Sequence, residues 1–121
     1  MEPGGARNPM TELRRGVLEF CVLARVRAEE TYAFEIVRRL GGDGGLLTSE
    51  GTIYPLLARL RRDGLVTTTG RESDAGPPRR YYRVTPDGGR ALDAFTRDWA
   101  RFRDAVDLQL AGPAGGGDDG R

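Results

Sequence analysis

Three hydroxyls, on Ser49, Thr52 and Tyr54, fall within the stretch Ser49-Glu-Gly-Thr-Ile-Tyr-Pro55, and arginines follow at Arg59, Arg61 and Arg62. A second set of guanidiniums, Arg71, Arg79, Arg80 and Arg83, brackets the segment Asp74-Ala-Gly-Pro-Pro78. Hydroxyls and planar guanidinium forks bond phosphate oxygens and the acceptor edges of bases. A glycine such as Gly51 lets backbone come close to a phosphate. The chemistry on offer is recognition of a polyanion. The same residues have plainer uses: Ser49 or Thr52 can cap a helix, and Arg61 and Arg62 suit the negative end of a helix dipole. Glu72 and Asp74 weaken the positive field around the second set.

Bond-making chemistry finds little to work with. The chain has no histidine, so the commonest general base and metal ligand is missing. Cys21 lies in the apolar run from Gly16 to Ala24, where a buried thiol is inert. The segment Gly41-Gly-Asp-Gly-Gly45 lacks the Lys-Ser/Thr that completes a phosphate-binding loop. The expectation is no enzyme, no cofactor and no metal. At 121 residues, 38% hydrophobic and 31% charged, the chain has room for one globular domain. Its net charge of +1 points to no particular partner, so any case for a polyanion rests on where the arginines sit. A lone cysteine excludes an internal disulfide and fits a reducing compartment. Residues Met1 to Asn8 are polar and Gly-rich, without a signal peptide, and no apolar run is long enough to span a membrane. The expected location is the cytoplasm.

The elements that must position these groups can be read from periodicity. After an arm expected to be disordered (residues 1–9), Thr11 offers a cap for a first helix. Leu13, Val17, Phe20 and Ala24 share one face of it, and Leu18, Cys21 and Val22 widen that face. A helix apolar over so much of its circumference needs cover on two sides, its own domain and a second protomer. Thr31 can cap a second helix, Tyr32 to Leu40, with Ala33, Ile36, Val37 and Leu40 at helical spacing. A third helix carries Ile53, Leu56, Leu57 and Leu60 and ends at Gly64. Pro55 leaves two starts open for it, Ser49 or Thr52. Strands follow at Leu65 to Arg71 and Arg80 to Thr85. A last helix, Pro86 to about Leu110, places Leu92, Phe95, Trp99, Phe102 and Val106 on a heptad seam that a small domain cannot bury alone. The tail, residues 111–121, is expected to be disordered. The fold class is therefore mainly α with a small β-hairpin: a winged helix-turn-helix domain over residues 10–85 and a C-terminal dimerisation helix over 86–110. In such a pair the second helix enters the major groove of DNA, and the arginine-bearing wing meets the backbone or a minor groove. The near-zero net charge keeps a rival open, a winged helix that meets another protein.

Two segments carry a likeness to a known family. Glu50-Gly-Thr-Ile-Tyr-Pro-Leu-Leu-Ala-Arg-Leu-Arg-Arg-Asp-Gly-Leu65, followed by Gly76-Pro-Pro-Arg-Arg-Tyr-Tyr-Arg-Val-Thr-Pro-Asp-Gly88, resembles the PadR family of transcriptional regulators. Trp99-Ala-Arg-Phe-Arg-Asp-Ala-Val106 resembles the closing helix of its short-tailed subfamily. The resemblance implies a homodimer on double-stranded DNA, an operator with two-fold symmetry, and repression lifted by a small molecule. With the helix-turn-helix reading above, the expected DNA contacts are Ser49, Gly51, Thr52, Tyr54, Pro55, Arg59, Arg71, Arg79, Arg80 and Arg83. The first-helix face and the heptad seam give the expected dimer interface: Leu13, Val17, Phe20, Leu92, Phe95, Trp99, Phe102 and Val106. In some members a closing-helix aromatic lines a cavity for flat hydrophobic ligands, a role that falls here to Trp99 with Phe95 and Phe102. The plainer alternative is that these three rings only fill the interface. Two positions depart from the family pattern: Ala33 stands where glycine is usual, and Gly70 where the first wing strand usually carries tryptophan.

Overall fold

The computed structural model describes residues 8–42, 45–46, 50–73 and 76–112. Helix α1 (Pro9–Ala28) starts two residues before Thr11, because the Asn8 side chain accepts the Met10 N–H and Pro9 occupies the first turn. An asparagine cap followed by proline is a strong helix start, since proline's missing N–H would have no partner there in any case. The expected arm is therefore shorter by Asn8 and Pro9, and its remainder lies outside the described residues. Thr31 is not a cap. With Tyr32 it forms a two-residue strand, β1 (Thr31–Tyr32), and α2 (Ala33–Gly41) follows. A 3-10 turn (Glu50–Thr52) leads into α3 (Ile53–Arg62). Pro55 is thus the third residue of the α-helix, inside its first turn, which settles the open boundary in favour of the later start. Strands β2 (Val66–Ser73) and β3 (Gly76–Val84) reach further toward their turn than the sequence suggests, and α4 (Pro86–Ala111) completes the chain. The hairpin is in fact part of a three-stranded antiparallel sheet, ordered β1-β3-β2. Gly112 follows α4, and the rest of the expected tail lies outside the described residues.

The core is drawn from every major element. Leu18, Val22, Leu23 and Val26 of α1 pack with Ile36 and Leu40 of α2, all four stripe residues of α3, Val66 of β2 and Leu92 of α4. Helix α1 presents two faces to elements of its own chain. Its buried set runs along Leu18, Val22 and Val26, while Leu13, Val17 and Phe20 turn toward α4. Cys21 packs half-buried at the edge of this core, and burial pushes its thiol pKa up, so little reactive thiolate forms near neutrality. Arg38 and Arg39 bind Glu35 on their own helix, and these hydrogen bonds, Arg38 first, hold the Glu35 carboxyl below the usual carboxylate range. Among the described residues no helix is long and apolar enough to cross a membrane.

One residue joins α3, the sheet and α4. The Thr85 hydroxyl donates to the Gly64 carbonyl at 2.6 Å and accepts the Gly88 N–H at 3.0 Å, capping α4. Its backbone N–H donates to the Leu65 carbonyl. Across the domain, Arg27 of α1 bonds Asp93 of α4 at 2.7 Å, so the base of α4 is fixed at both sides.

Candidate nucleic-acid interface

Because α3 buries Ile53, Leu56, Leu57 and Leu60, helical geometry sends Tyr54, Ala58, Arg61 and Arg62 to the opposite face, at i, i+4, i+7 and i+8. The wing rises beside that face. Tyr54, Ala58, Arg61 and Arg62 line a cleft of about 470 Å³ with Arg80 and Tyr82 of β3. An adjoining niche of about 330 Å³ at the start of α2 adds Phe34 and Arg79 to Tyr54 and Arg80. Phe34 and Tyr54 are 63% and 52% exposed, large for aromatic rings on so small a domain. Here a helix face, a strand and two open rings converge on a surface edged by four arginines.

The predicted DNA-binding residues divide. Tyr54, Arg79 and Arg80 meet at this surface, and Gly51 and Thr52 lie exposed in the turn before α3. The Thr52 hydroxyl makes no capping bond to α3, which leaves it available. Pro55 and Arg59 line a neighbouring cleft of about 700 Å³ between α1 and α3, which Thr52, Ala58 and Arg62 also border, and Arg59 pairs with Glu19 at 3.1 Å. Arg71 and Arg83 are also held elsewhere, by Glu30 at 2.5 and 4.0 Å. Ser49 falls outside the described residues. Position at the end of α3 assigns Arg61 and Arg62 to the helix dipole, yet counting four, seven and eight residues on from Tyr54 places Ala58 and both arginines beside it. Phe34 gives no usable signal, since a ring at the second position of a short helix reads equally well as core.

The predicted interface residues divide as well. Leu92 is 3% exposed and belongs to the protomer's own core, so no partner chain can reach it. Phe20 stacks on Phe95 of the same chain, ring centroids 4.0 Å apart and nearly parallel. The ladder continues through Trp99 to Phe102, with centroids 5.9 and 6.1 Å apart, and opens as it climbs. Phe102 is 55% exposed, and Val106, Leu108 and Leu110 follow it into the open. Leu13 and Val17 of α1 line a groove of about 360 Å³ with Phe95, Trp99 and Phe102.

A helical core with a sheet-borne wing standing against the exposed face of its third helix defines a winged helix-turn-helix protein. The chain belongs to the PadR-like family of transcriptional regulators, whose sequence model matches residues 22–94. A transcriptional regulator of Mycobacterium tuberculosis is 36% identical over 83 residues, covering 69% of this chain and 76% of that one. A PadR-like transcriptional regulator from Bacillus cereus is 37% identical, with a TM-score of 0.76 over 84% of this chain and 98% of that one. A PadR-family regulator from Eggerthella lenta is 35% identical, with a TM-score of 0.74 over 85% and 89% of the two chains. These relatives support a DNA-binding regulator.

Proposed function

We propose that the chain is a cytoplasmic repressor that binds a two-fold symmetric operator as a homodimer, each protomer laying α3 in a major groove with its wing on the flanking backbone. The observation that carries this is the shared surface of α3 and β3, where Tyr54, Arg61, Arg62, Arg79 and Arg80 stand together and none of the four arginines has a carboxylate partner among the described residues. In a symmetric dimer two such surfaces face one duplex about 34 Å apart, one helical turn. Residues 10–85 act as the reading head and 86–110 as the joining helix. The test is a salt titration of binding to a duplex selected by the chain from a random-sequence pool. Replacing Arg79 and Arg80 together with alanine is expected to weaken binding to all sequences. It should also flatten the salt slope by about 0.9 for each phosphate no longer neutralised, counted twice in a dimer. Unchanged affinity and slope would leave the surface to a protein partner instead.

The aromatic groove supports a further part of the proposal. A flat hydrophobic effector enters between Phe95, Trp99 and Phe102, shifts the spacing of the two reading heads and releases DNA. Trp99 is the chain's only tryptophan, so ligand entry reports directly in its fluorescence. Flat aromatic probes such as dyes are expected to quench Trp99 and to weaken operator binding in the same titration. Quenching without any change in operator affinity would reduce the groove to interface packing.

A further inference from the structure

The hairpin has two faces, and they hold its arginines differently. Directly paired residues in an antiparallel ladder project to the same side. On one side of the wing stand Thr68 and Tyr82, then Gly70 and Arg80, with Tyr82 packed on the core and Arg80 lining the cleft with α3. On the other stand Thr67 and Arg83, Thr69 and Tyr81, Arg71 and Arg79, joined by Tyr32 through its pairing with Tyr81. Among the described residues, Glu30, in the short link between α1 and β1, makes its side-chain contacts to this second side. Its carboxylate accepts the Thr69 hydroxyl at 3.2 Å and an Arg71 N–H at 2.5 Å, and the Arg83 guanidinium lies 4.0 Å away. From Arg71 the chain of contacts runs on. Its guanidinium sits 4.2 Å over the Tyr81 ring, Tyr81 meets Tyr32 edge-on at 5.3 Å, and Arg79 lies 4.5 Å over Tyr32.

We propose that Glu30 is a positioning residue for DNA binding: it braces the outer face of the wing through Thr69, Arg71 and Arg83, and so holds Arg80 against the α3 side where the duplex lies. The Glu30 side chain is three-quarters covered, which strengthens its hold on Arg71 relative to a fully open surface pair. The brace matters because the inner face offers little to hold Arg80. Its cross-strand neighbour there is Gly70, which has no side chain. Arg71 then acts as a strut with its charge answered by Glu30, Arg83 stands beside the pair at 4.0 Å, and Arg80 reads from the α3 side while Arg79 reaches the α2 niche across Tyr32.

This rests on the proposed DNA binding, and it predicts a sign opposite to simple electrostatics. Removing a negative charge near a polyanion should tighten binding. Glu30→Gln is instead expected to weaken binding to the selected duplex by about three- to tenfold, the cost of ordering a long side chain that the brace otherwise holds. The salt slope should stay as in the wild type, because Glu30, Arg71 and Arg83 do not answer phosphates. Arg71→Gln should give the same loss with the same slope. In an Arg80→Ala background both effects should vanish, which a general loss of stability would not do. Tighter binding with a steeper slope in Glu30→Gln would show Arg71 and Arg83 to be phosphate ligands held in reserve, and would overturn the proposal. So would an equal loss in the presence and absence of Arg80. If the wild-type chain selects no duplex at all, it is the DNA reading that falls, and this inference with it.

Discussion

Replacing Gly88 with alanine is expected to destabilise the protein by about 3 kcal/mol or more, an overpacking cost at the top of the usual range. A Cβ built there would overlap the Leu65 carbonyl oxygen and stand 2.7 Å from Val84 Cγ2. Neither neighbour can give way cheaply. The Leu65 carbonyl is fixed backbone that accepts the Thr85 N–H at 3.0 Å, and Val84 is a half-buried strand residue packed on the core. The helix would have to lift from the sheet, dragging the Thr85 cap and the Arg27–Asp93 bridge with it. In a domain of about 100 residues, 3 kcal/mol lowers Tm by on the order of 12–24 °C. Gly89→Ala is the control: nothing lies within 4 Å of its Cβ position, and an alanine inside a helix should stabilise by about 0.5–1 kcal/mol. Thermal unfolding of the two variants side by side decides it. A Gly88→Ala protein that melts within about 3 °C of the wild type would mean that α4 seats less closely on the Leu65 carbonyl and Val84.

What could be read from the sequence follows the range of the forces involved. The stripe of α3 and the start of α4 at Pro86 depend on residues within one or two turns, and Ile53, Leu56, Leu57 and Leu60 all prove buried. Strand β1 escapes a sequence reading because two residues carry no periodicity, and its partner Tyr82 lies about fifty positions away. Without that partner in view, Thr31 reads as a helix cap. Arg71 and Arg83 read as DNA ligands for a similar reason. Their carboxylate, Glu30, is 41 residues before Arg71, and composition alone shows only a basic hairpin. Leu92 shows the converse limit. Heptad spacing reports that a side chain will be covered, not whether its own domain or a second chain covers it. Asn8-Pro9 is a different case, since the local signal for a helix start is present and the Gly-rich composition around it masks that signal.

That limit on Leu92 sharpens the test of the proposed dimer, because the seam divides between core and interface partway along α4. Phe102 and Val106 lie beyond the division, 55% and 36% exposed, and neither belongs to the core cluster. Replacing both with aspartate is therefore expected to leave the fold intact while placing four like charges in a two-fold contact. At micromolar concentration the variant should sediment as a monomer where the wild type sediments as a dimer. The emission of Trp99, one ring further down the ladder, should shift to the red as water reaches it. Losing the second reading head removes the intramolecular advantage of paired half-sites, and operator affinity should fall by at least about 100-fold. Leu92→Ala should behave in the opposite manner, with about 2–5 kcal/mol lost from protomer stability and no change in association of the folded chain. A wild-type protein that stays monomeric in this range, with Trp99 emission the same in both chains, would leave the aromatic ladder as packing between α1 and α4 and the reading heads unpaired.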